Sequence, residues 1–166
     1  MNQSWRSIWQ SRYPVWQSPC LAVPLIGDPV ASTLNPYLSF RDTAKPAMEF
    51  YQTVFGGELT LNTFADFGAS DDPAEMDNIM HGQLKTESGF TLMGADTLAH
   101  EELTVGNNIT VSVSGDASDE LRGYWDKLSD GAAIVQPLEA APWGDTFGML
   151  TDKFGIGWLF NIAAPE

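Results

Sequence analysis

Short runs of alternating apolar and polar residues, a pattern typical of β-strands, recur along this chain from residue 34 onward. Two of them match at an offset of 73 residues: Asn35-Pro-Tyr-Leu-Ser-Phe40 and Asn108-Ile-Thr-Val-Ser-Val113. Because successive side chains of a strand point to opposite faces, each run has one apolar face and one polar face. The predicted apolar faces are Leu38 with Phe40, and Ile109 with Val111 and Val113. The opposite faces are free to line a pocket, and they hold Asn35, Tyr37 and Ser39 in the first run and Asn108, Thr110 and Ser112 in the second.

Each run leads into a predicted helix. The first helix follows Thr43, has Pro46 in its first turn, where the missing N–H costs little, and ends at Gly56-Gly57. The second begins with Asp116 or Ser118 as the predicted N-cap. The apolar stripes at helical spacing are Ala47, Phe50, Tyr51, Val54 and Phe55 in the first helix, and Leu121, Tyr124, Trp125 and Leu128 before Gly131 in the second.

Three shorter strand candidates follow each helix, so the pattern predicts two strand-helix-strand-strand-strand modules, residues 34–95 and 107–163. The longer connection in the first module, residues 66–78, has a loop-like composition. At 166 residues and 43% hydrophobic, the chain fits one domain, predicted to span residues 31–166. The strand candidates are residues 58–64, 79–86 and 90–94 in the first module, and 133–137, 146–151 and 157–163 in the second.

The first 30 residues have neither strand alternation nor a capped amphipathic helix. They contain Trp5, Trp9 and Trp16 among serine, glutamine and proline. We expect a poorly ordered tail; the alternative is a start-site artefact, with translation beginning near Val30, and the composition also faintly resembles an organelle transit peptide.

Charge and cysteine content narrow the possible partners and compartment. The formal net charge is -14, and such an acidic surface repels phosphate backbones, so no nucleic-acid partner is expected. A small cationic or neutral ligand remains compatible. Cys20 is the single cysteine, which excludes an internal disulfide and any multi-cysteine metal site and fits a reducing cytoplasm. No apolar run approaches the ~20 residues of a membrane span, so no membrane association is expected.

A tandem βαβββ repeat resembles the vicinal oxygen chelate superfamily of glyoxalases, bleomycin-resistance proteins and ring-cleaving dioxygenases. Four segments, LNPYLSF, MEFYQTVFGGEL, IMHGQL and the hairpin WGDTFGMLTDKFGIGW, are similar to its PhnB-like branch, once labelled a demethylubiquinone methyltransferase family. The resemblance implies an α+β fold whose two modules form a curved, cup-like mixed sheet with helices on the outer face. It also implies a homodimer. The methyltransferase label is not supported, because no glycine-rich loop for S-adenosylmethionine follows a strand.

The resemblance also implies where a metal would be bound, at the first and last strand of each module. The corresponding positions are Asn35, Leu92 or Met93, Asn108 and Leu159. None offers the carboxylate or imidazole that a divalent ion needs, so no metal and no cofactor are predicted.

Other residues of chemical interest have competing structural explanations. His81 and His100 are the only histidines; His81 is in a strand, as a packed residue or a ligand contact, and His100 is expected in a solvated loop. Asp145 and Asp152 flank a hairpin strand and are expected to bond turn backbone. Trp143 could wall a pocket, pack in the core or contact a second subunit.

These observations support two hypotheses. The first is a PhnB-like protein that binds a small organic molecule in a metal-free concave pocket. The alternative is a metal-dependent lyase, isomerase or dioxygenase that uses non-standard ligands, such as His81 with nearby carboxylates. No catalytic residue is assigned, and whether the protein is an enzyme is left open. The predicted substrate-binding residues are Asn35, Tyr37, His81, Met93, Asn108, Thr110, Trp143 and Leu159.

Overall fold

The computed structural model describes residues 32–165, and residues Leu34–Glu166 form one compact unit. The predicted tail, residues 1–30, lies outside the described residues. No helix in the described part is long and apolar enough to cross a membrane. The elements, in chain order, are β1 (Tyr37–Phe40), α1 (Ala44–Phe55), β2 (Glu58–Thr63), α2 (Phe64–Phe67), β3 (Ile79–Lys85), β4 (Thr91–Asp96), β5 (Val111–Gly115), α3 (Ser118–Leu128), β6 (Ala133–Ala140), β7 (Thr146–Thr151) and β8 (Gly157–Ile162).

The eight described strands form two four-stranded sheets with the same topology. The first sheet has the order β1-β4-β3-β2 and the second the order β5-β8-β7-β6. In each, the first strand of the module runs parallel to the last, and the other pairs are antiparallel. The predicted α+β fold of two tandem βαβββ modules is therefore confirmed.

One face of each sheet is covered by the helix of its own module. In β1, Leu38 and Phe40 are buried while Tyr37 and Ser39 are exposed, as the alternation predicts. In α1, the predicted stripe contributes Ala47, Tyr51 and Val54 to the buried core. The predicted stripe of α3 is buried in full: Leu121, Tyr124, Trp125 and Leu128.

The matched strands show that the repeat offset predicted from sequence is displaced by two residues. Tyr37 of β1 pairs with Met93, and Ser112 of β5 pairs with Leu159, while Met93 and Leu159 are equivalent in their hairpins. Tyr37 therefore corresponds to Ser112, an offset of 75 rather than 73. A two-residue shift preserves a period-two pattern, so alternation alone could not detect it. Asn108, Ile109 and Thr110 consequently precede β5, and Ile109 is 82% exposed instead of apolar core.

Several predicted boundaries also differ. The predicted strand at residues 58–64 ends at Thr63, whose side chain caps the short helix α2 in a capping box with Asp66. This helix occupies the start of the connection predicted as loop. The N-cap of α3 is Ala117, without a side-chain bond, so the prediction of Asp116 or Ser118 was wrong. The predicted strand at residues 133–137 extends to Ala140, with register irregularities between Ile134 and Gln136 and between Gln136 and Glu139.

Gly148 of β7 shows why this hairpin needs glycine. A Cβ atom at this position would lie 2.9 Å from both the Trp125 ring and the Leu138 Cα. The approach of α3 to its sheet therefore leaves no room for any side chain there.

The helices join the two modules along a shared core. Helix α1 contacts α3, and the Phe55 and Tyr124 rings meet edge to face at 5.0 Å. The Lys127 ammonium donates to the carbonyls of Thr53 and Val54, at the C-terminal turn of α1, where a cation is favoured by the helix dipole.

Asp152 lies at the centre of this junction and is only 4% exposed. Its Oδ1 accepts from the backbone N–H groups of Phe154 and Ile156 at 2.9 and 3.0 Å, which is the predicted turn-forming role. Its Oδ2 accepts from the Tyr51 hydroxyl of α1 and from the Trp158 indole of β8, both at 2.8 Å. One carboxylate thus bonds its own turn and both modules. Burial and the adjacent carboxylate raise the pKa of Tyr51 far above its usual value, so this hydroxyl remains a donor.

We predict that Asp152→Ala destabilises the fold strongly. The substitution leaves the Tyr51 hydroxyl and the Trp158 indole N–H buried without an acceptor, at a cost of about 3 kcal/mol or more in unfolding free energy. Tyr51→Phe removes one bond and should cost about 1–2 kcal/mol. The control is Asp130→Ala, which removes a 79% exposed ion-pair partner and should change stability by less than about 0.5 kcal/mol. Urea denaturation measures all three, and equal effects of Asp152→Ala and Asp130→Ala would contradict the assignment.

Candidate functional site

The sheet face that α1 does not cover, the first open face, presents a row of side chains across the strands. Tyr37 pairs with Met93, Met93 with Gln83, and Gln83 with Thr60, so these residues lie side by side from β1 to β2. Tyr37 is 51% exposed, and Met93 and His81 are half-buried. This face is the concave surface on which the first-module site residues were predicted.

Tyr37 and His81 form the main polar contact of the first open face. The Tyr37 hydroxyl lies 3.2 Å from His81 Nδ1, and the rings stack with centroids 5.8 Å apart. Burial raises the pKa of the Tyr37 phenol, so the hydroxyl stays protonated near neutral pH. The pair can therefore present one hydrogen-bonding edge and one ring face to a ligand.

The corresponding surface of the second module, the second open face, has a different chemistry. Ser112 of β5 pairs with Leu159, and Leu159 pairs with Met149 of β7. In the next row, Asn161 pairs with Phe147, and Phe147 pairs with Glu139 of β6. The first row is mainly apolar, whereas the second combines an amide, an aromatic ring and a carboxylate.

Asp145 joins this second row through its side chain. Its Oδ2 accepts from the Asn161 amide at 2.8 Å, and its Oδ1 accepts from the backbone N–H of Ala164 at 3.1 Å. The predicted role in a local turn was therefore wrong, because both partners lie well beyond the turn in sequence. The Asn161 amide, with the Ala164 N–H, holds the pKa of Asp145 below its usual value, so the group is a carboxylate at neutral pH.

Trp143 is presented by a tight turn immediately before β7. The turn is closed by backbone bonds from Ala141 N–H to the Asp145 carbonyl and from Gly144 N–H to the Ala141 carbonyl, at 2.7 and 3.0 Å. Gly144 has φ +107°, a conformation that other residues rarely adopt. The Trp143 ring is 62% exposed and meets Phe147 edge to face at 5.4 Å. It lies on the surface, and not in the core.

Two adjoining cavities form a groove that extends from β1 of the first sheet along the second open face. Their volumes are about 640 and 570 Å³, and they adjoin at two shared lining residues, Val135 and Met149. Tyr37 and Thr110 line the larger cavity, and Trp143 and Phe147 line the smaller one. We call the two adjoining cavities together the open-face groove.

The predicted substrate-binding residues do not all meet. Tyr37, His81 and Met93 lie together on the first open face, while Tyr37, Thr110 and Trp143 line the open-face groove. Leu159 pairs with Met149 at the floor of the second open face. The remaining two predicted residues precede their strands: Asn35 is half-buried before β1, and Asn108 is exposed before β5. His100 is exposed in a loop, as expected.

The positions at which related metal enzymes hold an ion do not fit a metal here. Leu92 is buried on the helix side, so Met93 is the residue on the open face. The corrected repeat offset also replaces Asn108 by Thr110 as the counterpart of Asn35. An amide, a thioether, a hydroxyl and the hydrocarbon of Leu159 are a poor donor set for a divalent ion. Within residues 32–165, no three His, Cys, Asp or Glu side chains are grouped so that they could hold one.

Sequence reasoning missed Glu139, Met149 and Asn161. Glu139 and Asn161 belong to the same open-face row as Phe147, but the strand pairing is needed to show this. Met149 was included in a predicted strand, yet its contact with both cavities became apparent only in the folded sheet, where it pairs with Gln136 of β6. The alternation in residues 146–151 was the available signal, since it places Phe147 and Met149 on one face.

Comparison with known proteins identifies the family. Residues 32–160 match the family described as 3-demethylubiquinone-9 3-methyltransferase. The chain belongs to this family, the PhnB-like branch of the vicinal oxygen chelate superfamily, as the sequence motifs predicted. Protein YjdN of Escherichia coli (strain K12) is 26% identical over 144 residues, which cover 80% of this chain and 97% of that protein.

Solved structures show the same architecture. Protein PA1353 from Pseudomonas aeruginosa is 30% identical with a TM-score of 0.69, and the match covers 81% of this chain and 100% of that one. A PhnB protein from Bacillus cereus has a TM-score of 0.63 at 22% identity, covering 80% of this chain and 100% of that one. At that lower identity the likeness shows the fold alone.

We predict that Asn161→Leu raises the pKa of Asp145 towards the usual aspartate value of about 3.9. The bond from Asn161 is the main cause of the lowered pKa, and it stabilises the charged form. A lowered folded-state pKa adds stability above the unfolded pKa, and this stability is lost as the pH falls through the folded pKa. The carboxyl carbon shift of Asp145, followed by NMR from pH 6 to pH 2, measures the change. Asn108→Leu, at an exposed asparagine elsewhere, should leave the titration unchanged, and an unchanged titration in Asn161→Leu would refute the assignment.

Proposed function

We propose that this protein binds a small organic molecule in the open-face groove. The observation that supports this most directly is that the two cavities adjoin, with Val135 and Met149 lining both. Each has a volume within the ~300–1,000 Å³ of typical ligand sites, and their lining is mixed apolar and polar.

Exposed rings at the two ends of the groove support the same proposal. Tyr37 is 51% exposed at one end and Trp143 is 62% exposed at the other. Large aromatic side chains on an uncovered sheet face commonly mark a binding surface, because their burial by a ligand is favourable. Both are held in place, Tyr37 by His81 and Trp143 by its turn and Phe147.

The metal-dependent alternative gains no support from the described residues. It would need carboxylates grouped with His81, whereas the His81 ring is engaged with Tyr37 and no suitable group of three donors is present in residues 32–165. A binding function therefore agrees better with the chemistry of the groove.

We expect a small molecule to accompany the purified protein in native mass spectrometry and to raise its melting temperature when added back. A ligand at 100 times its Kd stabilises a folded protein by about 2.7 kcal/mol. Trp143→Ala should weaken the affinity for that molecule about tenfold, because it removes a ring that the ligand covers. The matched control is Phe67→Ala, which removes a 61% exposed ring outside the groove and should leave the affinity unchanged. Equal losses in both variants would contradict binding in the groove.

We further propose that the protein is a homodimer. In each sheet the first strand of the module, β1 or β5, is an edge strand. Exposed apolar side chains lie beside β5 and on β6, where they also line the larger cavity of the groove, with Val105 76%, Ile109 82% and Val135 63% exposed. Apolar surface next to unpaired strand edges favours association with a second copy.

Multi-angle light scattering at micromolar concentration should therefore give about twice the chain mass of 18.1 kDa. Ile109→Asp places a charge in this apolar surface and should shift the mass towards the monomer. Phe67→Asp, an equivalent change at an exposed ring on α2, serves as control. A single species of monomer mass for the unmodified protein would refute the dimer.

A further inference from the structure

The smaller cavity of the open-face groove has an unusual combination of rings and charge. Of its nine lining residues, one is acidic, Glu139, and none is basic. Two are aromatic, Trp143 and Phe147. A second carboxylate, Asp145, lies immediately before β7, the strand that contains Phe147.

The strand pairing brings the charge and the rings together. Glu139 of β6 is directly opposite Phe147 of β7, so their side chains leave the sheet on the same face. The Gln136 amide donates to Glu139 Oε1 at 3.2 Å and orients this carboxylate within the cavity lining. Trp143 stands at 71° to Phe147, so the two rings form a corner beside the carboxylate.

No described cation of the protein neutralises this corner. Arg122 bonds Thr146 of β7, which alternates with Phe147 and faces the helix side of the sheet, and Lys153 in the β7–β8 turn pairs with Asp130. The formal charge of the chain is -14, which adds a general attraction for cations.

We infer that the open-face groove takes an organic cation, whose alkylammonium group lies between the Trp143 and Phe147 rings and the Glu139 carboxylate. This inference rests on the proposed ligand-binding function and specifies its ligand class. Aromatic faces attract cations through the ring quadrupole, and a weakly hydrated alkylammonium group gives up its water at little cost. A neutral group of the same shape would fill the corner without the electrostatic gain, and an anion would be repelled.

Choline and its neutral isostere 3,3-dimethyl-1-butanol test this inference on the full-length protein. The two differ mainly in the charge of one quaternary centre. NMR titration, with the Trp143 indole N–H as reporter, gives both affinities. We expect choline to bind at least about fivefold more tightly, in line with cation–π attraction at a partly exposed site.

Three variants test which side chains cause the preference for choline over the neutral isostere. Glu139→Gln should remove most of the preference for choline while leaving the isostere unaffected, and Trp143→Leu, read out by the Phe147 ring signals, should weaken both probes. Trp143→Phe should restore part of the choline affinity, because it returns a ring face. Glu49→Gln, the same charge change at an exposed residue of α1, controls for the general acidity of the surface and should leave the preference intact.

Equal affinity for both probes would overturn the cation inference and leave the proposed binding function standing, because that proposal requires no charge. A preference lost equally in Glu139→Gln and Glu49→Gln would also overturn it, since the attraction would then come from the whole surface. Absence of choline binding at 100 mM would also overturn the cation inference. Failure of the proposed function is recognised separately, by the absence of any co-purifying molecule in native mass spectrometry.

Discussion

The buried carboxylate of Asp152 is the contact on which the relation between the two modules depends. It accepts bonds from Tyr51 of the first module and from Trp158 of the second, in the layer where α1 and α3 meet. The helix-covered faces of both sheets pack into this shared core. The opposite faces are therefore uncovered and can line a groove. The open-face groove, with Tyr37 at one end and Trp143 at the other, is a consequence of that arrangement.

The two modules show how a duplicated unit can acquire unequal roles. Thr86 occupies the hairpin position equivalent to Asp152, and its hydroxyl accepts from the backbone N–H of Phe90, just as Asp152 accepts from that of Ile156. The turn needs only one acceptor, which threonine supplies. The aspartate has a second oxygen, and this oxygen reaches out of its own turn to the other module. The two modules therefore differ in the side chain that accepts at this turn, threonine in the first and aspartate in the second.

Alternation and helical spacing predicted the order of the described strands, the main helices and most core-facing residues of the repeat. They failed where the same pattern fits more than one alignment of the two modules. A displacement by two residues keeps the alternation of the strand, so the equivalence of Tyr37 with Ser112 was revealed only by the strand pairing. The partners of Asp145 were equally hidden, because Asn161 and Ala164 are 16 and 19 residues away along the chain. The family motifs supplied the fold but no ligand: the hairpin motif contains Trp143, Phe147 and Met149, yet their cross-strand neighbours Glu139 and Asn161 became apparent only from the strand pairing.

The two irregularities in β6 have a consequence for how the sheets end. A regular edge strand offers evenly spaced backbone groups on which any extended polypeptide can add itself, and this is the usual starting point of aggregation. The breaks between Ile134 and Gln136 and between Gln136 and Glu139 disturb that spacing over half the strand. The β6 edge of the second sheet is therefore poorly suited to pair with an additional strand. Ile134 and Val135, which are exposed on this margin, therefore lie in a strand whose irregular backbone disfavours the addition of further strands.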